Sequence, residues 1–181
     1  MNEKPSDFGG LCFSRVVIVG ANGAGKTWLA QRIAQWRGLP GISKDALALT
    51  TGWAQRDRAE VQAKVLDAVA AEAWVLEGGP SILLPEVLTR ANLVVWLDFP
   101  AGLRFRRILW RSLRYLGRVR PEHPPGNRDW PGFRQWRFAW DAIHKDDAFR
   151  SAIAAGLANT NVAIIRLTTP AEVTHFLDQI A

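Results

Sequence analysis

Five short apolar runs, separated by stretches in which apolar residues recur every three or four positions, set the pattern of this chain. The first, "RVVIV" at residues 15–19, is β-branched and ends at Gly20. A continuous apolar run of that length suits a strand buried on both faces of a parallel sheet. Behind it, "GKTWLAQRIAQWRG" changes period. Trp28, Leu29, Ile33 and Trp36 mark an apolar helical face, and Gly38 and Pro40 end the helix. A weak second strand is expected around 40–43. A helix follows after Trp53, with Val61, Val65, Leu66 and Val69 at helical spacing. "AWVLEGGP" reads as a third strand ended by Gly78 and Gly79, residues 81–90 as a helix, and "ANLVVWLDFP" as a fourth strand stopped at Pro100. A basic helix over about 102–116 leads into "GRVRPEHPPGNRDWPGF", whose Pro and Gly content reads as a mobile loop. Helices over about 132–156, a fifth strand "NVAIIRL" and a closing helix "PAEVTHFLDQIA" complete the chain. Strands alternating with helices predict an α/β fold, a parallel sheet with helices on both faces. With no repeat and no second core, residues 15–181 are expected to form one domain behind a loose tail, 1–14.

Composition narrows the class without changing that picture. The 181 residues, 48% of them hydrophobic, are enough for a real core. The single cysteine, Cys12, excludes an internal disulfide framework and suits a reducing cytoplasm; as a small apolar filler it needs no further role. No apolar run approaches a membrane span, and the polar start "MNEKPSDFGG" lacks a signal-peptide core. A cytoplasmic protein with no membrane partner is expected.

The chemistry begins at "GANGAGKT", residues 20–27, which meets G-x-x-x-x-G-K-[ST] at every fixed position and lies between a strand and a helix, as that motif requires. Glycines such as Gly20, Gly23 and Gly25 let backbone amides converge where a Cβ would clash, and Asn22 and Ala24 contribute their backbone to the same turn. The helix that starts near Lys26 aims its positive end at the same point. Lys26 is placed to reach the β- and γ-phosphates of a nucleoside triphosphate, Thr27 to offer its hydroxyl to Mg²⁺, and Trp28 borders the bound nucleotide.

Ligands of an open parallel sheet gather at the carboxyl ends of its strands, where three acids fall: Asp45, Glu77 and Asp98. Glu77, in "VLEGG", is the candidate for the Mg²⁺ water shell. Asp45 is the candidate for positioning the phosphoryl acceptor or for a second Mg²⁺ contact. Asp98 reads equally as a strand-end acid of the site and as a cap for the next helix.

Charge is concentrated in one place. Ten arginines between Arg104 and Arg137 face only two acids, Glu122 and Asp129, in a chain whose net charge is +6. Arg104, Arg107, Arg111, Arg114 and Arg118 are spaced 3, 4, 3 and 4, so on a helix they share a face. The stripe reads either as a solvated basic surface or as the base of a lid, about 117–132. Such a lid would bring Arg118 and Arg120 onto the transferring phosphoryl group. The same stripe could neutralise a nucleic-acid backbone. Trp28, Trp74 and Trp96 fit packing patterns. Trp53, Trp130, Trp136 and Trp140 suit a pocket or an anchoring role, and His123, His144 and His175 show no ligand spacing.

Taken together, "VIVGANGAGKT", "SKDAL…GW", "WVLEGG", "VVWLDFP" and "RRILWRSLRYLGRVRPE" resemble the adenylate-kinase-like P-loop family described as DNA topology modulation proteins (FlaR-like), over about residues 15–178. The resemblance implies a three-layer P-loop NTPase with a five-stranded parallel sheet in the order 2-3-1-4-5 and an Arg-rich lid. It implies ATP or a related nucleotide as ligand, held by Gly23, Gly25, Lys26 and Thr27. Arg107, Arg111, Arg114, Arg118 and Arg120 fall on the family's arginines, which brings Arg111 and Arg114 into the nucleotide site. The chain departs from the family after strand three, where "EGG" replaces an Asp-Gly-Asn-like stretch, and after "DAL", where the family's aromatic is missing; both changes bear on the acceptor pocket. The implied activity is transfer of the γ-phosphoryl of MgATP to a nucleotide or other small acceptor. The alternatives are a nucleotide-binding regulatory or DNA-linked module, or a slow ATPase.

Overall fold

Strand β1 (Arg15–Gly20) carries an apolar β-branched residue at every position from Val16 to Val19, and all four are fully buried. A strand with both faces covered belongs in the middle of a sheet, and β1 is its centre. The computed structural model describes residues 13–50, 54–115, 140, 144 and 146–180. β1 pairs in parallel with β3 (Trp74–Gly78) on one side and with β4 (Leu93–Leu97) on the other. The short β2 (Gly41–Ser43) extends the sheet beyond β3, and β5 (Ala163–Leu167) extends it beyond β4. The sheet is five-stranded, all parallel, in the order β2-β3-β1-β4-β5. This is the order that the sequence resemblance implies.

Alternation along the strands sorts the core into two layers. Val16 and Ile18, with Leu93, Val95 and Leu97, face α1 (Lys26–Arg37) and α7 (Pro170–Ile180). Val17 and Val19, with Val94 and Trp96, face the opposite layer of α3 (Arg58–Ala68), α4 (Pro85–Arg90) and α6 (Asp146–Leu157). Trp74 is fully buried in that second layer, and its indole N–H donates to the Val69 carbonyl at 3.1 Å.

The sequence pattern differs from the structure in three places. A five-residue helix, α2 (Lys44–Ala48), follows β2 directly, too short to register as a period. The stretch 81–90 is a 3₁₀ turn (Pro80–Ile82) and then α4. On α1 the buried side chains are Leu29, Ala30 and Ile33, while Trp28 and Trp36 are 57% and 40% exposed and are not core residues. Trp110 and Leu113 of α5 (Ala101–Arg114) are also exposed. The N-terminal tail to residue 12, Trp53, Trp130, Trp136, His123 and the expected lid with Arg118 and Arg120 lie outside the described residues. Trp140 is exposed and stacks on His144, with ring centroids 3.9 Å apart. Among the described residues no helix is long and apolar enough to cross a membrane.

Candidate phosphate-binding site

Residues 21–25 turn tightly between β1 and α1. The Ala24 N–H donates to the Ala21 carbonyl, and Gly23 and Gly25 adopt left-handed conformations at φ 80° and 96°. Side chains resist that region, and at Gly23 a Cβ would also stand 2.6 Å from the Arg104 carbonyl oxygen. The turn is therefore specified twice, by backbone conformation and by the close approach of α5. Gly20 ends β1 against the Leu97 carbonyl, and Ala24 is buried beneath the turn. α1 is preceded by Gly25 as its N-cap, with no side-chain cap and no acid in its first turn. Its first amides and the positive end of its dipole are thus directed at one point, an arrangement suited to an anion.

Around that point stand the side chains that the motif calls for. Lys26 Nζ donates to the Ala21 carbonyl at 3.2 Å. Thr27 Oγ1 lies 3.3 Å from Glu77 Oε1, and Ser43 Oγ donates to the same oxygen at 2.6 Å. Glu77 is 4% exposed. Its register partners are Ile18 on β1 and Ser43 on β2, which explains how three strand ends deliver one cluster. Burial pushes the Glu77 carboxyl above its usual pKa. The Ser43 hydrogen bond and the Lys26 charge pull it back, and the negative charge of Asp45 adds to burial. Burial likewise lowers the pKa of the Lys26 ammonium. Glu77 and Asp45 oppose that shift, while Arg111 and Arg104 add to it.

The structure brings together most of the residues expected from sequence. Gly20, Asn22, Gly23, Ala24, Gly25, Lys26, Thr27 and Glu77 form the cluster. Asp45 lies at the start of α2, its side chain 68% exposed, close enough for its charge to act on both Lys26 and Glu77. Arg111 is half-buried and acts electrostatically on Lys26. Arg114 lies exposed at the far end of α5 beside Trp110 and Leu113. Trp28 points outward beside Thr27.

Sequence reasoning missed Ser43, although a hydroxyl at the carboxyl end of the edge strand was a usable signal. The arginine stripe, expected to share one helix face as a solvated surface or the base of a lid, is divided among its described members. Arg104 is in fact 1% exposed and Arg107 half-buried, both turned toward the phosphate loop. The spacing of Arg104 and Ile108, four apart and both buried, is the trace of that inward side.

Asp98 does not cap α5, whose N-cap is Pro100 without a side-chain bond. It accepts hydrogen bonds from Arg150 Nε at 2.7 Å and Arg166 Nε at 3.0 Å, and from Arg166 Nη2. Burial alone would raise its pKa, but the hydrogen bonds and charges of the two arginines outweigh it and hold the carboxyl below the usual range. A lowered carboxylate pKa gives stability that is present above the unfolded value and lost as pH falls through the folded one. Asp98→Asn is expected to destabilise the chain by about 1–3 kcal/mol at pH 7, less than a fully buried pair because both arginines are partly exposed. Melting curves across pH check this: the gap from wild type should close in acid.

The donors also suit a metal. Thr27, Ser43 and Glu77 present hard oxygens at one place, and among the described residues no group of three or more His, Cys, Asp or Glu could form an all-protein metal cage. That set fits Mg²⁺, which keeps several waters and takes its remaining ligands from phosphates.

Among solved structures the chain is similar to shikimate kinase from Acinetobacter baumannii, solved in complex with shikimate, with a TM-score of 0.55 and 19% identity over 93% of this chain and 91% of that one. The fold is that of a P-loop kinase. No protein-family model matches the chain, and no curated protein matches it in sequence at a significant level.

Proposed function

We propose that this P-loop kinase fold carries kinase activity, transferring the γ-phosphoryl group of MgATP to a small acceptor. The observation that carries the reading is the convergence of Lys26, Thr27, Ser43 and Glu77 on the uncapped start of α1. The loop amides and Lys26 hold the triphosphate. Thr27, with Glu77 directly or through water, holds Mg²⁺, whose charge when bound offsets that of the phosphates. Asp45 faces outward, where an acceptor hydroxyl or phosphate can reach it, and positions that group. In this reading residues 15–181 act as one domain in the cytoplasm, and Arg118 and Arg120 clamp the transferring group from a lid.

The motif resemblance to the DNA topology modulation proteins adds a DNA-contacting regulatory module as the alternative. The inward engagement of Arg104 and Arg107 counts against it, because a backbone-gripping stripe needs those charges outward. The test is a transfer screen with labelled ATP and Mg²⁺ against nucleoside monophosphates and small polyols and hydroxy acids. Transfer to at least one acceptor, lost in Asp45→Asn with ATP binding retained, is the expected result. ATP binding without transfer to any acceptor, or hydrolysis alone, would overturn the kinase reading.

A further inference from the structure

Two guanidinium groups bind the carbonyl side of the phosphate loop. Arg104 Nη1 donates to Asn22 O at 3.2 Å and Arg107 Nη1 to Ala24 O at 3.0 Å. Each carbonyl shares its peptide unit with the N–H of the next residue, here Gly23 and Gly25. A cation on the oxygen polarises that unit, so the amide on its other side becomes a stronger donor.

Both arginines are themselves held in place. Arg104 Nε donates to the Phe99 carbonyl at 3.0 Å and its Nη2 to Asp146. One buried guanidinium thus joins the end of β4, the phosphate loop and the first turn of α6. The Arg107 guanidinium lies over the Phe99 ring, 4.8 Å from its centroid, and its Nη1 stands 3.6 Å from where a Cβ on Gly25 would be. Phe99, 2% exposed, braces both, one through its carbonyl and the other through its ring face.

We propose that Arg104 and Arg107 are positioning residues of the phosphate site: they act on a bound phosphate through the Asn22 and Ala24 carbonyls, orienting and polarising the Gly23 and Gly25 amides, and Asp146 holds Arg104 in that role. The inference rests on the phosphate-binding part of the proposed function and deepens it. It assigns these two arginines to the loop rather than to the ligand.

The test uses the full chain and reads amide proton shifts without nucleotide, then MgADP affinity by calorimetry. Arg107→Met should move the Gly25 amide proton upfield and leave Gly23 in place. Asp146→Asn, milder than removing the buried Arg104, should move Gly23 and leave Gly25. MgADP binding should weaken about tenfold in Arg107→Met and recover partly in Arg107→Lys, which keeps a cationic donor. A Gly25 shift that stays put while affinity falls would mean that Arg107 touches the nucleotide directly, and would overturn the proposal. So would wild-type affinity in Arg107→Met. If wild type bound no nucleotide while the shifts moved as stated, the phosphate reading would fall and the polarisation would stand.

Discussion

Lys26→Met is expected to lower MgATP affinity and any phosphoryl transfer together, by about a hundredfold or more, the loss typical of one charge-stabilising donor removed from a water-poor site. Methionine keeps the aliphatic stem and removes only the charge. In the free protein that ammonium rests 3.2 Å from the Ala21 carbonyl, at the mouth of the uncapped α1. A phosphate placed there meets this cation by displacing that one hydrogen bond. The variant should remain folded, because Thr27 and Ser43 still hydrogen-bond Glu77. Calorimetry with MgATP beside a melting curve separates the two effects. Wild-type affinity in a folded Lys26→Met would remove Lys26 from the site, and with it the main support for phosphate binding.

The phosphate loop and sheet were legible in the sequence because both are local signals. Five apolar runs and one glycine-lysine spacing need no tertiary information. The arginines were not legible. On a helix turning about 100° per residue, spacing shows which side chains share a face but not what covers that face. α1 makes the same point. Leu29, Ala30 and Ile33 centre its buried arc, while Trp28 lies about 100° from Leu29 around the helix and is left outside. The small Ala30 marked the covered side better than either tryptophan. Asp98 was hidden for another reason. Its role depends on β5 lying beside β4 and on α6 lying near the same strand end, segments far apart in the chain. It reads equally as a strand-end acid of the site and as a helix cap until Arg150 and Arg166 are seen to pair with it.

Glu77→Gln should separate stability from function in opposite directions. Glu77 is buried, and burial, the largest influence on it, raises its pKa. A carboxyl whose folded value lies above its unfolded value gives its full contribution in acid and loses it as pH rises through the folded value. Glutamine never ionises and can still accept from the Ser43 and Thr27 hydroxyls. The variant should therefore match wild type at acidic pH and melt higher at neutral pH and above. An advantage on the order of 1 kcal/mol would appear as about 2–4 °C in a chain of 181 residues. In the same variant the Mg²⁺-dependent part of ATP binding should weaken about tenfold or more, since an oxygen anion that orients the metal's water shell is gone. Lys26 supplies the competing effect, because its charge favours an ionised Glu77. If Glu77→Gln melted below wild type at pH 8, that attraction would outweigh burial, and Glu77 would be holding the fold together as half of an ion pair. If it melted higher and bound MgATP as wild type does, the carboxylate would have no part in holding the metal.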